Sequence, residues 1–322
     1  MIQVHDSPTM KPLQASSGDV LADRRAGYAE MLFSSGDHAA AADLMRDALD
    51  LSPGWALGWF RLGEMREAAG ALDAAAEAWT TALALDPRDR PGAALKLALI
   101  GRAPPVETSP SAFVEALFDQ YADTFDAALV EKLAYRVPAL LADALHIQGG
   151  RTFRLALDLG CGTGLTGEVL RPYVQRLEGF DISARMLGRA RARGIYDRLE
   201  KADLQDFHYG GDRPDLVVAA DVLIYLGGLD RVAKAVAGLL APGGLFAFSV
   251  ELLAGEGDFA LQPSRRYAHS EPYIRRLLGE NGLDALWLEE RVIRQDRGEP
   301  VTGLIVLAKS LLPVHGGEKR SA

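Results

Sequence analysis

The sequence predicts an α/β protein: a doubly wound, mostly parallel seven-stranded sheet, preceded by an all-α helical region. Three observations carry this. An internal repeat with a 34-residue offset runs through residues 22–87, a period typical of stacked helix pairs. From Phe153 onward, short apolar runs alternate with amphipathic stretches, the pattern of strands and covering helices in a parallel sheet. The first of those runs, ending at Leu159, passes directly into a turn that carries Gly160, Gly162 and Gly164.

Composition limits the function classes. The chain has 322 residues, enough for about two domains, and 48% of them are apolar, enough for a normal core. A net charge of −9 argues against nucleic acid as the main partner, because binding phosphates needs a basic face. Cys161 is the only cysteine, which excludes a disulfide framework or a cysteine metal cluster and suits a reducing cytoplasm. No apolar run approaches the ~20 residues of a membrane span. The N-terminus carries Asp6 and lacks the apolar core of a secretory signal. Residues 1–20 and 311–322 read as disordered or flexible polar ends.

The helical region is expected over residues 21–102. Gly36 aligns with Gly70, Ala48-Leu49 with Ala82-Leu83, and Pro53 with Pro87. The second copy, Trp59 to Gly63 and on through Ala82 to Pro87, resembles the tetratricopeptide repeat. A further helix near 91–100 would cap the stack. Two repeats are few for independent stability, so these helices are expected to pack on the rest of the chain or on a second subunit. A scaffold or homodimer surface is the favoured role, and docking of a protein partner the alternative.

Residues 103–149 read as linker and lid. The stretch 101–110 is rich in proline and breaks the helical pattern. Phe113, Val114, Leu117, Phe118, Tyr121 and Phe125 then recur at helical spacing, most simply a core stripe. After Pro138, a helix with Leu140, Leu141 and Leu145 on one face leads into the sheet.

In the α/β region, 150–310, strands are expected at 153–159, 176–181, 197–201, 214–220, 243–250, 285–293 and 301–309. Helices are expected at 164–173, 184–193, 230–240 and 271–281. Ligands on such sheets bind beyond the carboxyl ends of the strands, so strand-end residues carry the functional weight. The first strand ends at Asp158, before the glycine turn; the second at Asp181, followed by Ile182 and Ser183. The third leads into Ala202-Asp203-Leu204, and the fourth into Asp221 and Tyr225. Gly162, Gly164 and Gly167 also satisfy the dinucleotide pattern G-x-G-x-x-G. The strand-end acid just before the turn, and glycines lying early relative to the strand, weigh against that alternative.

Together these motifs resemble the class I S-adenosylmethionine (SAM)-dependent methyltransferases, a Rossmann-like family, and within it bacterial members with an N-terminal tetratricopeptide region. The resemblance covers about residues 22–310. It implies a methyltransferase with SAM as cofactor. By it, Asp158, Gly160, Cys161, Gly162 and Gly164 bind the cofactor, with Asp158 reaching the amino-acid part of SAM. Asp181 accepts both ribose hydroxyls, with Ile182 beside it. Asp203 takes the adenine amino group, with Ala202 and Leu204 at the ring. Asp221, after the fourth strand, is a further cofactor-binding residue, and Tyr121 and Phe125 shield the cofactor from water.

Methyl transfer requires alignment first and a base only if the acceptor carries a proton that must leave. His269, in the polar loop 264–270, is the first candidate base; capping the next helix is its alternative role. Tyr225 and Glu251 are the next, or else a pocket wall and a solvated strand end. Glu251, Arg266, Tyr267 and Arg294 are the expected acceptor-binding residues, the arginines suiting a carboxylate or phosphate, unless they face solvent. His5, His38, His146 and His208 stand in no motif, and no spacing suggests a metal site. The expected reaction methylates an O, N or C atom of a small molecule. A protein methyltransferase docking through the repeats, a non-catalytic SAM-binding scaffold and a nucleotide-dependent oxidoreductase are the alternatives. The last would need a phosphate-binding turn that the sequence lacks.

Overall fold

The computed structural model describes residues 16–127, 133–147, 149, 151–296 and 298–312. The expected loose ends fall largely outside this range; within it, residues 16–19 lead into the first helix, where Asp19 accepts from Leu21 N and Ala22 N. The chain divides into two compact units, one of residues 1–120 with 263–265, the other of 121–262 with 266–322.

The first unit is helical. It contains α1 (Val20–Ser34), α2 (His38–Leu51), α3 (Ala56–Ala68), α4 (Leu72–Leu85), α5 (Ala93–Leu99) and most of α6 (Ser111–Tyr121). Helices α2 and α4 begin and end 34 residues apart. The turns before them hold Gly36 and Gly70 at φ +89° and +80°, where a Cβ would strain the backbone. Neighbouring helices pack in sequence order. Trp79 is wholly buried and donates to Phe60 O at 3.1 Å. Its indole lies where a Cβ on Gly63 would sit, 2.5 Å from Cδ1. The small residue is therefore what lets α3 and α4 approach. Arg265 belongs to this unit: it donates to Pro91 O at 3.1 Å and lies 4.9 Å over the Phe113 ring.

The second unit carries one mixed sheet, with nine strands among the described residues. These are β1 (Phe153–Leu159), β2 (Val174–Asp181), β3 (Arg198–Lys201), β4 (Leu216–Ala219), β5 (Leu245–Leu252), β6 (Phe259–Leu261), β7 (Tyr267–His269), β8 (Leu283–Asp296) and β9 (Glu299–Ser310). Strands β3-β2-β1-β4-β5 are parallel. On the far side of β5 the sheet continues with antiparallel β9 and then β8. All seven expected strands are present. The unforeseen pair is β6 and β7, within and just before what reads as a polar loop. Strand β4 stops opposite Phe248, and β7 pairs with Glu251 and Leu252 beyond it. Three-residue strands leave no periodicity to read; the overhang of β5 creates them.

The helices of this unit are the short α7 (Phe125–Ala127), α8 (Val137–Ile147), α9 (Leu165–Leu170), α10 (Ala184–Arg193), α11 (Asp230–Leu239) and α12 (Glu271–Glu280). Two apolar layers sandwich the sheet. One includes Leu155, Leu157, Val217, Phe246, Phe248 and Ile274; the other includes Leu141, Ala156, Leu177, Val218, Ala247 and Leu307. Successive strand residues alternate between the layers, as the pleat requires. No helix among the described residues is long and apolar enough to cross a membrane.

Candidate functional site

The parallel register sets β1 and β2 side by side, Asp158 opposite Gly179 and Leu159 opposite Phe180. Asp158 and Asp181 therefore sit at neighbouring carboxyl ends, with the glycine loop between them. That loop is tied to β2: Gly160 N and Cys161 N both donate to Phe180 O, at 2.7 and 3.0 Å. Gly160 (φ +69°) has Val222 where a side chain would go, 2.5 Å from Cβ. Gly162 (φ +54°) has only the edge of Phe125 near that space, at 3.8 Å. Gly164 (φ +100°) leads into α9.

Asp181 is nearly buried, and backbone groups fix its direction. Oδ2 accepts from Gly162 N and Oδ1 from Ser183 N, each at 2.8 Å. The N-cap of α10 is Ser183, whose side chain accepts from Met186 N, leaving Asp181 to face the loop. Asp158 is fully buried; Oδ2 accepts from Tyr196 Oη at 2.6 Å, and Oδ1 has no hydrogen-bond partner. Burial raises its pKa to about 7, with the Tyr196 bond opposing and Asp181 adding to the rise. Cys161 is buried, and burial, reinforced by Asp158, lifts its thiol well above the usual range, which disfavours the thiolate. Ile182, Ala202, Asp203 and Leu204 follow β2 and β3 and are half-buried. Asp203 Oδ1 accepts from Gln205 N at 2.9 Å.

The segment around α7 is anchored to this loop. Asp126 accepts from Thr163 Oγ1 at 2.5 Å and pairs with Arg193, while Asp123 pairs with Arg185 and Arg189. Tyr121 and Phe125, on either side of Asp123, are half-buried.

A second cluster lies beyond β4 and β5. Arg294 is 2% exposed; it pairs with both oxygens of Asp221, at 3.0 and 3.1 Å, and with Glu251. Burial opposes its charge, Arg266 adds repulsion, and the two carboxylates outweigh both, so its pKa is raised. Asp221 holds φ +54°, and its N–H donates to Ser249 Oγ at 2.9 Å. A left-handed non-glycine costs about 1–3 kcal/mol and persists only where its surroundings hold it; here the Arg294 fork and Ser249 do so. Half-buried Arg266 donates to Tyr225, with Asp221 and Glu251 close by; these neighbours outweigh the desolvation of its guanidinium and raise its pKa. Tyr135 faces Asp221, Arg294, Asp158 and Tyr225, and burial drives its phenol pKa well up.

The structure corrects several expectations. Arg294 and Glu251 are neither solvent-facing nor available to an acceptor, because each is buried and paired with the other. Tyr267 is 1% exposed, packed edge-on to Phe259 in the β6–β7 hairpin, so it cannot touch an acceptor. His269 is fully buried in β7; Nε2 lies 2.9 Å from both Leu226 O and Gly227 O. Burial lowers its pKa to about 4, which keeps it neutral and makes it a poor base. Nor does it cap α12, since Ser270 takes that position. Sequence reasoning missed Tyr135 and Tyr196, which stand in no motif; their roles depend on packing.

A methyltransferase-domain family profile matches residues 129–286. The methyltransferase GfsG of Streptomyces halstedii is 30% identical over 202 residues, 57% of this chain and 70% of that protein. The chain belongs to the methyltransferase family. A probable S-adenosylmethionine-dependent methyltransferase of Saccharomyces cerevisiae, CRG1, is 30% identical over 50% of this chain and 58% of its own length. A trans-aconitate 2-methyltransferase of Paracidovorax citrulli is 34% identical over 47% and 52%. The chain thus spans little more than half the length of these last two relatives. SAM is the family's cofactor, and the first cluster fits it: the orphaned Asp158 Oδ1 offers an acceptor for an ammonium. Gly162 leaves open space at the loop, and Asp181 presents a fixed carboxylate at the next strand end.

Proposed function

We propose that this chain binds SAM at the β1–β2 end of the sheet and methylates an O, N or C atom of a small-molecule acceptor placed over β4 and β5. The observation that carries this is the pair Asp158 and Asp181 flanking the glycine loop, one with an orphaned buried oxygen, the other fixed by two backbone N–H groups. Asp158 Oδ1 would receive the cofactor's α-ammonium, and Gly160, Cys161, Gly162 and Gly164 would line its amino-acid part. Asp181 would take the ribose hydroxyls. Ile182, Ala202, Asp203 and Leu204 would border the adenine, with Asp203 at its amino group. Tyr121 and Phe125 would exclude water. Bound SAM supplies an electrophilic methyl group on a positively charged sulfur.

The remaining work is alignment, which contributes on the order of 7–11 kcal/mol in well-oriented systems. Half-buried Arg266 would touch the acceptor, with Tyr135 beside it; Tyr225, expected as a catalytic group, is 6% exposed and bonded to Arg266, and would position that guanidinium. Arg294 pairs Asp221 and Glu251 next to them; Asp221, expected at the cofactor, is held in this ion-pair cluster. An acceptor that is a small acid suits Arg266, and one relative is by name a trans-aconitate methyltransferase.

The proposed domain plan is 21–102 as tetratricopeptide-like repeats, 103–149 as linker and lid, and 150–310 as the catalytic domain, in a cytoplasmic protein. The 34-residue match of α2 and α4 supports the repeat assignment. Exposed Val20, Leu21, Tyr28 and Met31 on α1 favour a second copy of the chain as partner; sedimentation of wild type against a Tyr28→Glu/Met31→Glu variant checks this.

Calorimetric titration with SAM and S-adenosylhomocysteine (SAH), alongside Asp181→Ala, tests the function. Losing two charge-assisted hydrogen bonds should weaken binding by about 100-fold or more. Absence of binding by folded wild type would reject the proposal.

A further inference from the structure

We infer that Tyr196 is a positioning residue for the cofactor site: its hydroxyl holds Asp158 Oδ2 so that Oδ1 meets the cofactor's α-ammonium, and the proton on Asp158 gates cofactor affinity. This rests on the SAM reading above and adds a residue and a proton to it.

The geometry sets Tyr196 directly beneath the glycine loop. Its ring lies 3.1 Å from a Cβ built on Gly164 and 2.9 Å from one on Gly179, and its hydroxyl fills the space a Cβ on Gly167 would need. Three glycines thus shape a slot for one aromatic ring. From that slot the hydroxyl donates to Asp158 Oδ2 at 2.6 Å, which orients the carboxyl group and leaves Oδ1 buried with no partner.

Among the described residues, the groups facing Asp158 are few, and none is cationic. Tyr196 comes from the connection between α10 and β3, Asp181 from the end of β2, Cys161 from the glycine loop and Tyr135 from the segment before α8. Among the described residues no lysine or arginine pairs with it. A fully buried carboxylate without a counter-ion holds a proton far more readily than an exposed one; burial puts this pKa at about 7. An arriving ammonium ion is then the missing counter-charge. The balance is simple: the protonated Asp158 releases its proton to solvent, and the carboxylate accepts a hydrogen bond from the ligand's ammonium. Tyr196 favours the carboxylate, because its hydroxyl donates to that form. It thereby keeps the site competent near neutral pH.

Calorimetric titration with SAH from pH 6 to 8.5, in buffers of different ionisation enthalpy, tests this. For wild type, affinity should fall about tenfold per pH unit below about 7, with close to one proton released at pH 6 and almost none at pH 8.5. Tyr196→Phe keeps the ring in its slot and removes the hydroxyl, which donates to Asp158 and accepts from the Gly167 N–H; the second loss is independent of pH. Losing one such hydrogen bond raises the midpoint by about one pH unit. Its affinity should therefore be about eightfold weaker at pH 6.5 and within twofold of wild type at pH 8.5. A flat wild-type profile without proton release overturns the inference, as does an equal loss in Tyr196→Phe at both pH values, which marks a purely structural role. If Tyr196→Phe does not fold, the wild-type proton count alone decides. Failure of folded wild type to bind SAH at any pH overturns the cofactor reading, and this inference with it.

Discussion

Replacing Arg294 by methionine tests the ion-pair cluster next to the proposed acceptor site. The side chain is 2% exposed and its guanidinium compensates two carboxylates, Asp221 and Glu251. Methionine fills a similar volume but leaves both acids without this partner in a water-poor site. Removing one member of a buried ion pair costs about 3–5 kcal/mol, because a charge stays behind uncompensated. Asp221 also loses the fork that holds its left-handed backbone, adding about 1 kcal/mol or more. We therefore expect a loss of about 4–6 kcal/mol in the second unit. Amide exchange in peptides from β5, β8 and β9 reads that energy separately from the helical unit. A double-mutant cycle with Glu251→Leu should recover about 2 kcal/mol, since the two members depend on each other. A loss below about 1 kcal/mol, or strict additivity with Glu251→Leu, would refute the reasoning.

Three further outcomes are expected. His269 has its folded pKa depressed to about 4, against about 6.5 unfolded, so its contribution to stability is full above pH ~6.5 and is lost as pH falls toward 4. Denaturant titrations at pH 7.5 and 4 should show wild type losing up to about 3 kcal/mol more than His269→Gln over that window. Asp126 joins Thr163 and Arg193, whereas Asp123 pairs only with half-exposed arginines. Stopped-flow release of SAH should accordingly speed up about tenfold in Asp126→Ala and less than threefold in Asp123→Ala, because exposed pairs contribute little. Gly63→Ala forces a methyl group against the Trp79 indole and should destabilise the helical unit by about 1–3 kcal/mol, read by exchange in α3 and α4.

Much of this was open to a reader of the chain. An apolar run, an acid and three glycines announce a strand, a turn and a helix start, because glycine takes those dihedrals without strain. A 34-residue offset announces repeated helix pairs. Ser183 ahead of an amphipathic stretch announces a helix cap, and the structure shows that cap. These are local signals, set by backbone sterics and by the period of burial.

Other features exist only after folding. The β-bulge between Val292 and Arg294 places two successive buried residues, Ile293 and Arg294, on an otherwise half-exposed strand. That shift aims Arg294 inward, where strand alternation alone leaves its face undecided. His269 stands in a polar stretch and is nonetheless buried, since the overhanging end of β5 recruits its segment as a strand. Tyr196 becomes a neighbour of Asp158 only because β1 and β2 pair in parallel and three glycines open a slot for its ring. Seven of the nine described strands, and the acids at the ends of the first two, were legible in the chain, because they rest on local backbone geometry. Tertiary structure alone decided which charges meet, which stay dry and which proton is held, because burial and pairing depend on residues distant along the chain.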